Sequence, residues 1–299
     1  MKKLVKKISG NTKTYGVLAN PIKHSLSPLI HNTAFQTANM DAVYLAFEVK
    51  NNRIEEALAG VRALELSGVN ISMPYKRMAL DYLIENNFPV CEVSELVGSC
   101  NTIVNTGRRL RGYNTDGIGL VTSIEKEGIS LAGKRLSILG AGGAARAIVC
   151  QLAKSSVQSI VIFKRHNESF QDVSAYFNLI SMVLGVKIDV YPYENVKLMQ
   201  EVFAQTDILI NATQVGMTGY PGLPIESADM LHEKLIVVDL IYAPLETEFL
   251  KAAKTKGCRT MNGIGMLLYQ AASSFKLMTG KTMPIDQVKV AIEQQLNKL

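Results

Sequence analysis

Gly140, Ala141, Gly142, Gly143, Ala144 and Ala145 follow directly on the apolar run Leu136-Ser137-Ile138-Leu139 and lead into Arg146-Ala147-Ile148-Val149. The spacing is G-x-G-x-x-A between a strand-like and a helix-like segment, the pattern with which a chain holds the pyrophosphate of a dinucleotide. Gly140 permits the tight turn, Gly142 lets backbone N–H groups approach a phosphate at the helix N-terminus, and Ala145 allows helix and strand to lie close. A purely structural glycine turn is the alternative, and the order strand, turn, helix weighs against it.

Hydroxyls, amides and a lysine form a second set, suited to a small polar ligand and to proton transfer. Ser25 and Ser27, in Asn20-Pro21-Ile22-Lys23-His24-Ser25-Leu26-Ser27-Pro28, stand two apart in a strand-to-helix loop and can face a ligand together. Ser27 before Pro28 is equally a good helix cap. In Asn70-Ile71-Ser72-Met73-Pro74-Tyr75-Lys76, Pro74 suits a first helical position and puts Lys76 in the first turn. There Lys76 opposes the positive end of the helix dipole, at a cost of some tenths of a kcal/mol. An ammonium so destabilised is what a general acid/base needs, and a solvated surface lysine is the alternative. Asp116 is either the cap of the helix that follows or a carboxylate that orients a lysine. Asn101 is either a turn residue or a ligand-binding amide.

A third set lies about 20 residues beyond the glycines, where enzymes selective for NAD carry Asp or Glu for the ribose hydroxyls. This chain has Lys164, Arg165, His166 and Asn167 there. The basic pair can accept a 2′-phosphate, while Asn167 can hydrogen-bond a free ribose hydroxyl, so both cofactors stay open.

The elements that must position these residues alternate. Strands are expected at 15–19, 43–49 and 69–72, helices at 28–39 and 54–66, and a further helix opening at Pro74. Such alternation implies βαβ units and a largely parallel sheet. A polar hairpin follows, 101–104 and 110–114, joined by Asn105-Thr106-Gly107-Arg108-Arg109, and then a helix at 116–127. The nucleotide-binding unit starts at 133–135, with later strands at 160–163, 186–191, 208–211 and 235–240. Helices at 263–279 and 285–299 close the chain and can pack back on the first domain.

The chain has 299 residues, enough for two domains, with 47% hydrophobic and 19% charged residues. No apolar run approaches the roughly 18 residues of a membrane span and no signal peptide follows Lys2 to Lys7, so a soluble cytoplasmic protein is the default expectation. Cys91, Cys100, Cys150 and Cys258 form no C-x-x-C pair, which disfavours a disulfide framework or a zinc site and points to buried thiols. The four histidines lack metal-ligand spacing, so no metal is expected. The net charge of +6, part of it in the lysine-rich tail, fits an anionic small molecule better than nucleic acid, since no basic run is interleaved with aromatics.

Taken together, these motifs resemble the shikimate dehydrogenase family, including its quinate/shikimate branch. The resemblance runs from about Tyr15 to Thr279. It rests on Pro21 to Pro28, Asn70 to Lys76, Asn101-Thr102, Asn114 to Gly117, Gly140 to Ala144, Asn211-Ala212-Thr213, Tyr242 to Thr247 and Gly263 to Ala271. It implies an α/β fold of two domains with a cleft between them. Residues 1–117 with 266–299 would bind substrate, and 118–265 would be a Rossmann-type NAD(P)-binding domain. The implied reaction is the reversible reduction of 3-dehydroshikimate to shikimate, a step of aromatic amino acid biosynthesis, with quinate as a second candidate substrate. By the same resemblance Lys76 and Asp116 are the catalytic pair, and Ser25, Ser27, Ser72, Asn101, Tyr242 and Gln270 contact the substrate. Gly140, Ala141, Gly142, Gly143, Ala144, Lys164, Arg165, His166, Asn167, Thr213, Gln214, Leu240, Tyr242 and Gly263 would line the cofactor.

Several positions depart from the commonest family pattern. Ser72 replaces a frequent Thr, Ser99-Cys100 precede Asn101 where small apolar residues are usual, and Ala243 follows Tyr242 where Asn often stands. The Asn-Arg-Thr motif of NADP-specific members is absent. The segment Lys164 to Asn167, followed by Phe170, looks closer to the quinate/shikimate branch, which leans the expectation to NAD with NADP as the alternative. A dedicated quinate or aminoshikimate dehydrogenase and a catalytically silent dinucleotide-binding regulator are the competing readings; retention of both Lys76 and Asp116 argues against the regulator. The sequence does not fix the oligomeric state, for which a homodimer is the candidate.

Overall fold

A computed structural model of the chain describes residues 8–50, 53–107 and 109–297. The lysine-rich segment 1–7, Arg108 of the hairpin turn and residues 298–299 of the expected last helix lie outside the described residues. In chain order the elements are β1 (Lys13–Ala19), α1 (Ser27–Thr37), β2 (Ala42–Glu48), α2 (Ile54–Ala63), β3 (Gly68–Ile71), α3 (Lys76–Glu85), α4 (Glu92–Val97), β4 (Thr102–Asn105) and β5 (Leu110–Tyr113). They continue with α5 (Asp116–Lys126), β6 (Arg135–Leu139), α6 (Gly143–Ala153), β7 (Ser159–Lys164), α7 (Phe170–Leu184), β8 (Lys187–Pro192), α8 (Val196–Phe203) and β9 (Ile208–Asn211). Last come β10 (Ile236–Asp239), α9 (Glu248–Thr255), β11 (Arg259–Met261), α10 (Ile264–Thr279) and α11 (Ile285–Leu296). The fold is α/β in two compact units, 1–115 with 271–299, and 116–270. The chain therefore crosses at Thr115–Asp116 and at Gln270–Ala271, where the sequence reading had placed the borders at 117 and 266.

The first unit carries a sheet of order β2-β1-β3-β4-β5. The helical crossovers α1 and α2 leave β1, β2 and β3 parallel, because a crossover returns the chain to the same edge. Strand β5 instead folds back on β4, so β4 runs antiparallel to both of its neighbours. One face is closed by Ile54, Leu58, Val61, Ala79, Leu80 and Leu83 against Leu18, Val69, Ile71, Ile103 and Leu110. The C-terminal α11 packs on α1 within this unit.

The second unit is a six-stranded parallel sheet of order β11-β10-β9-β6-β7-β8. Its central strands are apolar on both faces: Ile138, Leu139, Ile160, Ile162, Ile208, Leu209 and Ile210 are all fully buried, as helices on both sides require. Taken from β8, the order is 3-2-1-4-5-6, that of the doubly wound dinucleotide-binding fold. The strand order reverses between β6 and β9, and ligands of such sheets bind at that switch point, outside the carboxyl ends of the strands.

Several local expectations are corrected. Helix α1 starts at Ser27 with Leu26 at the cap position, and no side chain caps it; Ser25 Oγ instead accepts the Ser27 N–H at 3.3 Å. Pro74 is not a first helical residue but lies in a turn closed by the Tyr75 N–H on the Ser72 carbonyl (3.0 Å), so Lys76 itself opens α3. Asp116 is the first residue of α5 rather than a cap outside it. Helix α2 ends at Ala63, and α4 and β11, too short to show a periodicity, are additional to the sequence reading. All cysteines are free thiols; Cys100, Cys150 and Cys258 are buried, whereas Cys91 is half-buried at the start of α4. Among the described residues no helix is long and apolar enough to cross a membrane.

Candidate active site

The first unit gathers its chemistry-bearing residues on one edge of its sheet. Parallel β1 and β3 both end there, releasing the loop with Ser25 and Ser27 after Ala19, and Ser72 and Lys76 after Ile71. Strand β4 starts at the same edge because it is antiparallel to β3, which brings Asn101 in; the Ile71 N–H donates to the Asn101 carbonyl at 2.8 Å. Strand β5 ends there too, with Thr115 and then Asp116 following Tyr113. Lys76 is tied to this edge by its own backbone, since its carbonyl accepts the Cys100 N–H at 2.9 Å. Ser25, Ser27, Ser72 and Lys76 are half-buried; Asn101 and Asp116 are buried.

Beneath that edge runs a buried polar network. The Tyr44 hydroxyl donates to Asn70 Oδ1 at 2.7 Å, and Asn70 Nδ2 donates to Ser274 Oγ and Thr102 Oγ1, both at 3.0 Å. Thr102 Oγ1 donates to Asn101 Oδ1 at 2.9 Å. Asn101 Nδ2 donates to Thr115 Oγ1 at 3.0 Å while Asn101 Oδ1 accepts the Thr115 N–H at 2.9 Å. Asn101 is thus not a surface turn residue: its amide is built into the floor and fixes the residue before Asp116. The sequence alone assigns no role to Tyr44, Thr102, Thr115 or Ser274. The signal was present in polar residues interrupting apolar strands, such as Asn70 between Val69 and Ile71, but their partners lie up to 204 positions away.

In the second unit, β6 ends in a turn where Gly140 has φ +97°, and an added Cβ there would stand 3.1 Å from the Ala212 carbonyl oxygen. Only glycine adopts this conformation without strain. Gly142 takes the cap position of α6, which has no side-chain cap and no acidic residue in its first turn. A Cβ at Gly142 or Gly143 would meet nothing within 4 Å. The start of α6 is therefore open at these two glycines, and uncapped N–H groups at the positive end of a helix dipole suit an anion. Ala145, fully buried, lies where α6 leaves the sheet.

The neighbouring strand ends hold the remaining candidates. After β9, Asn211 Oδ1 accepts the Thr213 N–H (3.0 Å) and Thr213 Oγ1 (2.7 Å), which sets the loop bearing Thr213 and exposed Gln214. At the end of β10, buried Asp239 accepts from Asn211 Nδ2 (3.0 Å), the Ile241 N–H (3.1 Å) and Thr247 Oγ1 (2.7 Å). Burial nonetheless pushes the Asp239 carboxyl above its usual range. This knot joins the β9 and β10 exits and fixes the backbone that carries Leu240 and Tyr242, whose phenol is also pushed up by burial. Gly263 stands where a Cβ would lie 2.0 Å from the Leu240 carbonyl oxygen, so its smallness has a packing cause. Gln270, half-buried, donates from Nε2 to the Leu267 carbonyl at 3.0 Å. At the end of β7, Lys164 Nζ donates to Asn167 Oδ1, which also accepts Ser169 Oγ at 3.1 Å. Asn167 therefore has its carbonyl oxygen occupied by neighbours. Arg165, His166 and Asn167 are exposed.

Comparison with known proteins matches this arrangement along the chain. Residues 17–103 match the shikimate dehydrogenase substrate binding domain, 122–241 the shikimate / quinate 5-dehydrogenase family and 263–293 the shikimate 5'-dehydrogenase C-terminal domain. The shikimate dehydrogenase (NADP(+)) of Lactococcus lactis subsp. cremoris is 42% identical over 97% of this chain and 100% of its own. The crystal structure of the Listeria monocytogenes shikimate 5-dehydrogenase in complex with shikimate and NAD is similar at a TM-score of 0.91 and 38% identity, covering 97% of this chain and 99% of that one. A shikimate dehydrogenase structure in complex with NADP+ has a TM-score of 0.85 at 36% identity, covering 97% of this chain and 98% of its own.

Proposed function

The chain belongs to the shikimate dehydrogenase family, and we propose that it catalyses the reversible NAD(P)-dependent reduction of 3-dehydroshikimate to shikimate. The observation that carries this reading is the convergence of Ser25, Ser72, Lys76, Asn101 and the Thr115–Asp116 step on one sheet edge. Ser25, Ser27 and Ser72 supply hydroxyls to the substrate, whose polar groups need both donors and acceptors. Asn101, with Tyr242 and Gln270 of the second unit, completes the set of ligands.

Lys76 is the acid/base. Its ammonium donates a proton to the substrate carbonyl oxygen as that oxygen gains charge, and takes it back in the oxidising direction. Asp116 keeps the ammonium aligned. The dinucleotide, when bound, supplies or accepts the hydride. The N-terminus of α6 with Gly140 to Ala144 would hold its pyrophosphate, and Thr213, Gln214, Leu240, Tyr242 and Gly263 its nicotinamide half.

An NAD preference is not favoured. The L. lactis relative is named as an NADP(+) enzyme, and Asn167, on which that preference leaned, has its oxygen engaged by Lys164 and Ser169. Lys164 and Arg165 are cations fit for a 2′-phosphate, which supports NADP(H), with NAD(H) as a second usable cofactor. Initial rates crossing shikimate and quinate with NAD and NADP test the proposal. Turnover of shikimate is expected with both dinucleotides, NADP being the better; no turnover of shikimate with either would overturn the reading.

A further inference from the structure

No carboxylate stands at positions 164–167, where β7 ends, and the first acidic residue after the strand is Glu168. The fold delivers one from elsewhere. Glu194, in the turn after β8, lies 28 positions from His166, and its two carboxylate oxygens accept the His166 N–H at 3.1 and 3.2 Å. The register of the sheet brings the two turns together: β8 pairs with β7 with Pro192 opposite Lys164, and the Tyr193 N–H donates to the Lys164 carbonyl at 2.9 Å. Backbone N–H groups of Glu194 itself and of His166 hold the carboxyl below its usual range, so it is ionised at neutral pH.

Three consequences follow for a ligand at this strand end. The His166 N–H, a backbone donor of the kind that receives a phosphate oxygen, is occupied by an internal anion. A negative charge stands near Arg165, one of the two cations that would attract a 2′-phosphate. The same carboxylate has acceptor capacity left for ribose hydroxyls. Lys164 is meanwhile drawn toward Asn167 Oδ1 and the Arg165 carbonyl (3.2 Å), with its Nζ 5.8 Å from the Phe170 ring centroid.

Resting on the dinucleotide reading above, we infer that Glu194 is a specificity-determining residue: it supplies from the third strand the carboxylate that the second strand lacks, and so weakens NADP relative to NAD. Its exposure to solvent keeps the effect moderate, since like charges in water repel weakly and salt screens them.

The test is the ratio of kcat/KM for NADP and for NAD in Glu194→Gln and Glu194→Ala at saturating shikimate, with calorimetric titration of each dinucleotide in parallel. Gln keeps the shape and an acceptor for the His166 N–H, so it removes charge without removing the turn. A rise of about five- to tenfold in the NADP-to-NAD ratio is expected in both variants, carried by a lower KM for NADP and shrinking as salt rises. A merely structural Glu194 would change both dinucleotides by the same factor in the alanine variant and neither in the glutamine variant; that result, or a fall in the ratio, overturns the inference. Dinucleotide binding by the wild type without shikimate turnover would overturn the substrate reading alone. Failure of the wild type to bind either dinucleotide would overturn both.

Discussion

The Asn101 side chain and Thr115 grip each other twice: Nδ2 donates to the Thr115 hydroxyl at 3.0 Å and Oδ1 accepts the Thr115 backbone N–H at 2.9 Å. Thr115 ends the N-terminal segment of the first unit, and Asp116 is the next residue in the chain. A residue proposed to touch substrate therefore also sets the backbone that presents the proposed carboxylate partner of Lys76. Thr115→Val keeps the shape and removes from this buried site the hydroxyl that accepts from Asn101 Nδ2 and pairs with Ser274 Oγ. A loss of about 1–3 kcal/mol in stability is expected by urea denaturation. In steady-state assays kcat should fall more than the shikimate KM changes, because the alignment of Asp116 is what suffers.

The role of Lys76 predicts a sharper separation. Lys76→Ala should lower kcat by about 100- to 10,000-fold, the usual worth of general acid/base catalysis. NADP affinity, measured by titration, should stay within a few fold, since Lys76 lies in the first unit and the glycine turn in the second. Retention of wild-type turnover would refute the proton-transfer role.

His31 predicts the pH dependence of stability. It is 2% exposed, stacked on Tyr44 at 4.3 Å between ring centroids, and burial lowers its pKa to about 3. The unfolded chain takes up this proton near pH 6.5 and the folded chain does not until about pH 3. The stability His31 contributes is thus fully present above pH 6.5 and is lost as pH falls toward 3, by about 1.4 kcal/mol for each pH unit. Denaturation midpoints across this range should show that slope, and His31→Phe, which keeps a stacked ring, should remove most of it.

Gly263 predicts a tight backbone crossing. Its N–H donates to the Ile241 carbonyl at 2.9 Å, and an added methyl would sit 2.0 Å from the Leu240 oxygen. Neither atom can move without shifting β10 or the start of α10. Gly263→Ala should cost about 1–3 kcal/mol or more in thermal or urea unfolding, and raise the dinucleotide KM by displacing Leu240. A variant as stable as the wild type would show that the two segments are not held together.

What the sequence determined by itself was local chemistry. The turn at Gly140 and the uncapped start of α6 follow from neighbours within a few residues, as does the alternation of strands and helices that makes both sheets. Motif order along the chain was enough to place it in its family. The exact starts of α1 and α3 differ from the local pattern because Leu26 takes the cap position, its carbonyl accepting the Ile30 N–H, and because a turn at Ser72 to Tyr75 takes up Pro74. Tertiary structure alone decided the pairings that no periodicity encodes: Asn70 with Ser274, Asn101 with Thr115, Asp239 with Asn211 and Thr247, and Glu194 with His166. Each is a polar contact between strand ends or helix faces distant in the chain. Sheet order and register bring them together, and the hydrogen-bonding needs of buried polar groups hold most of them there.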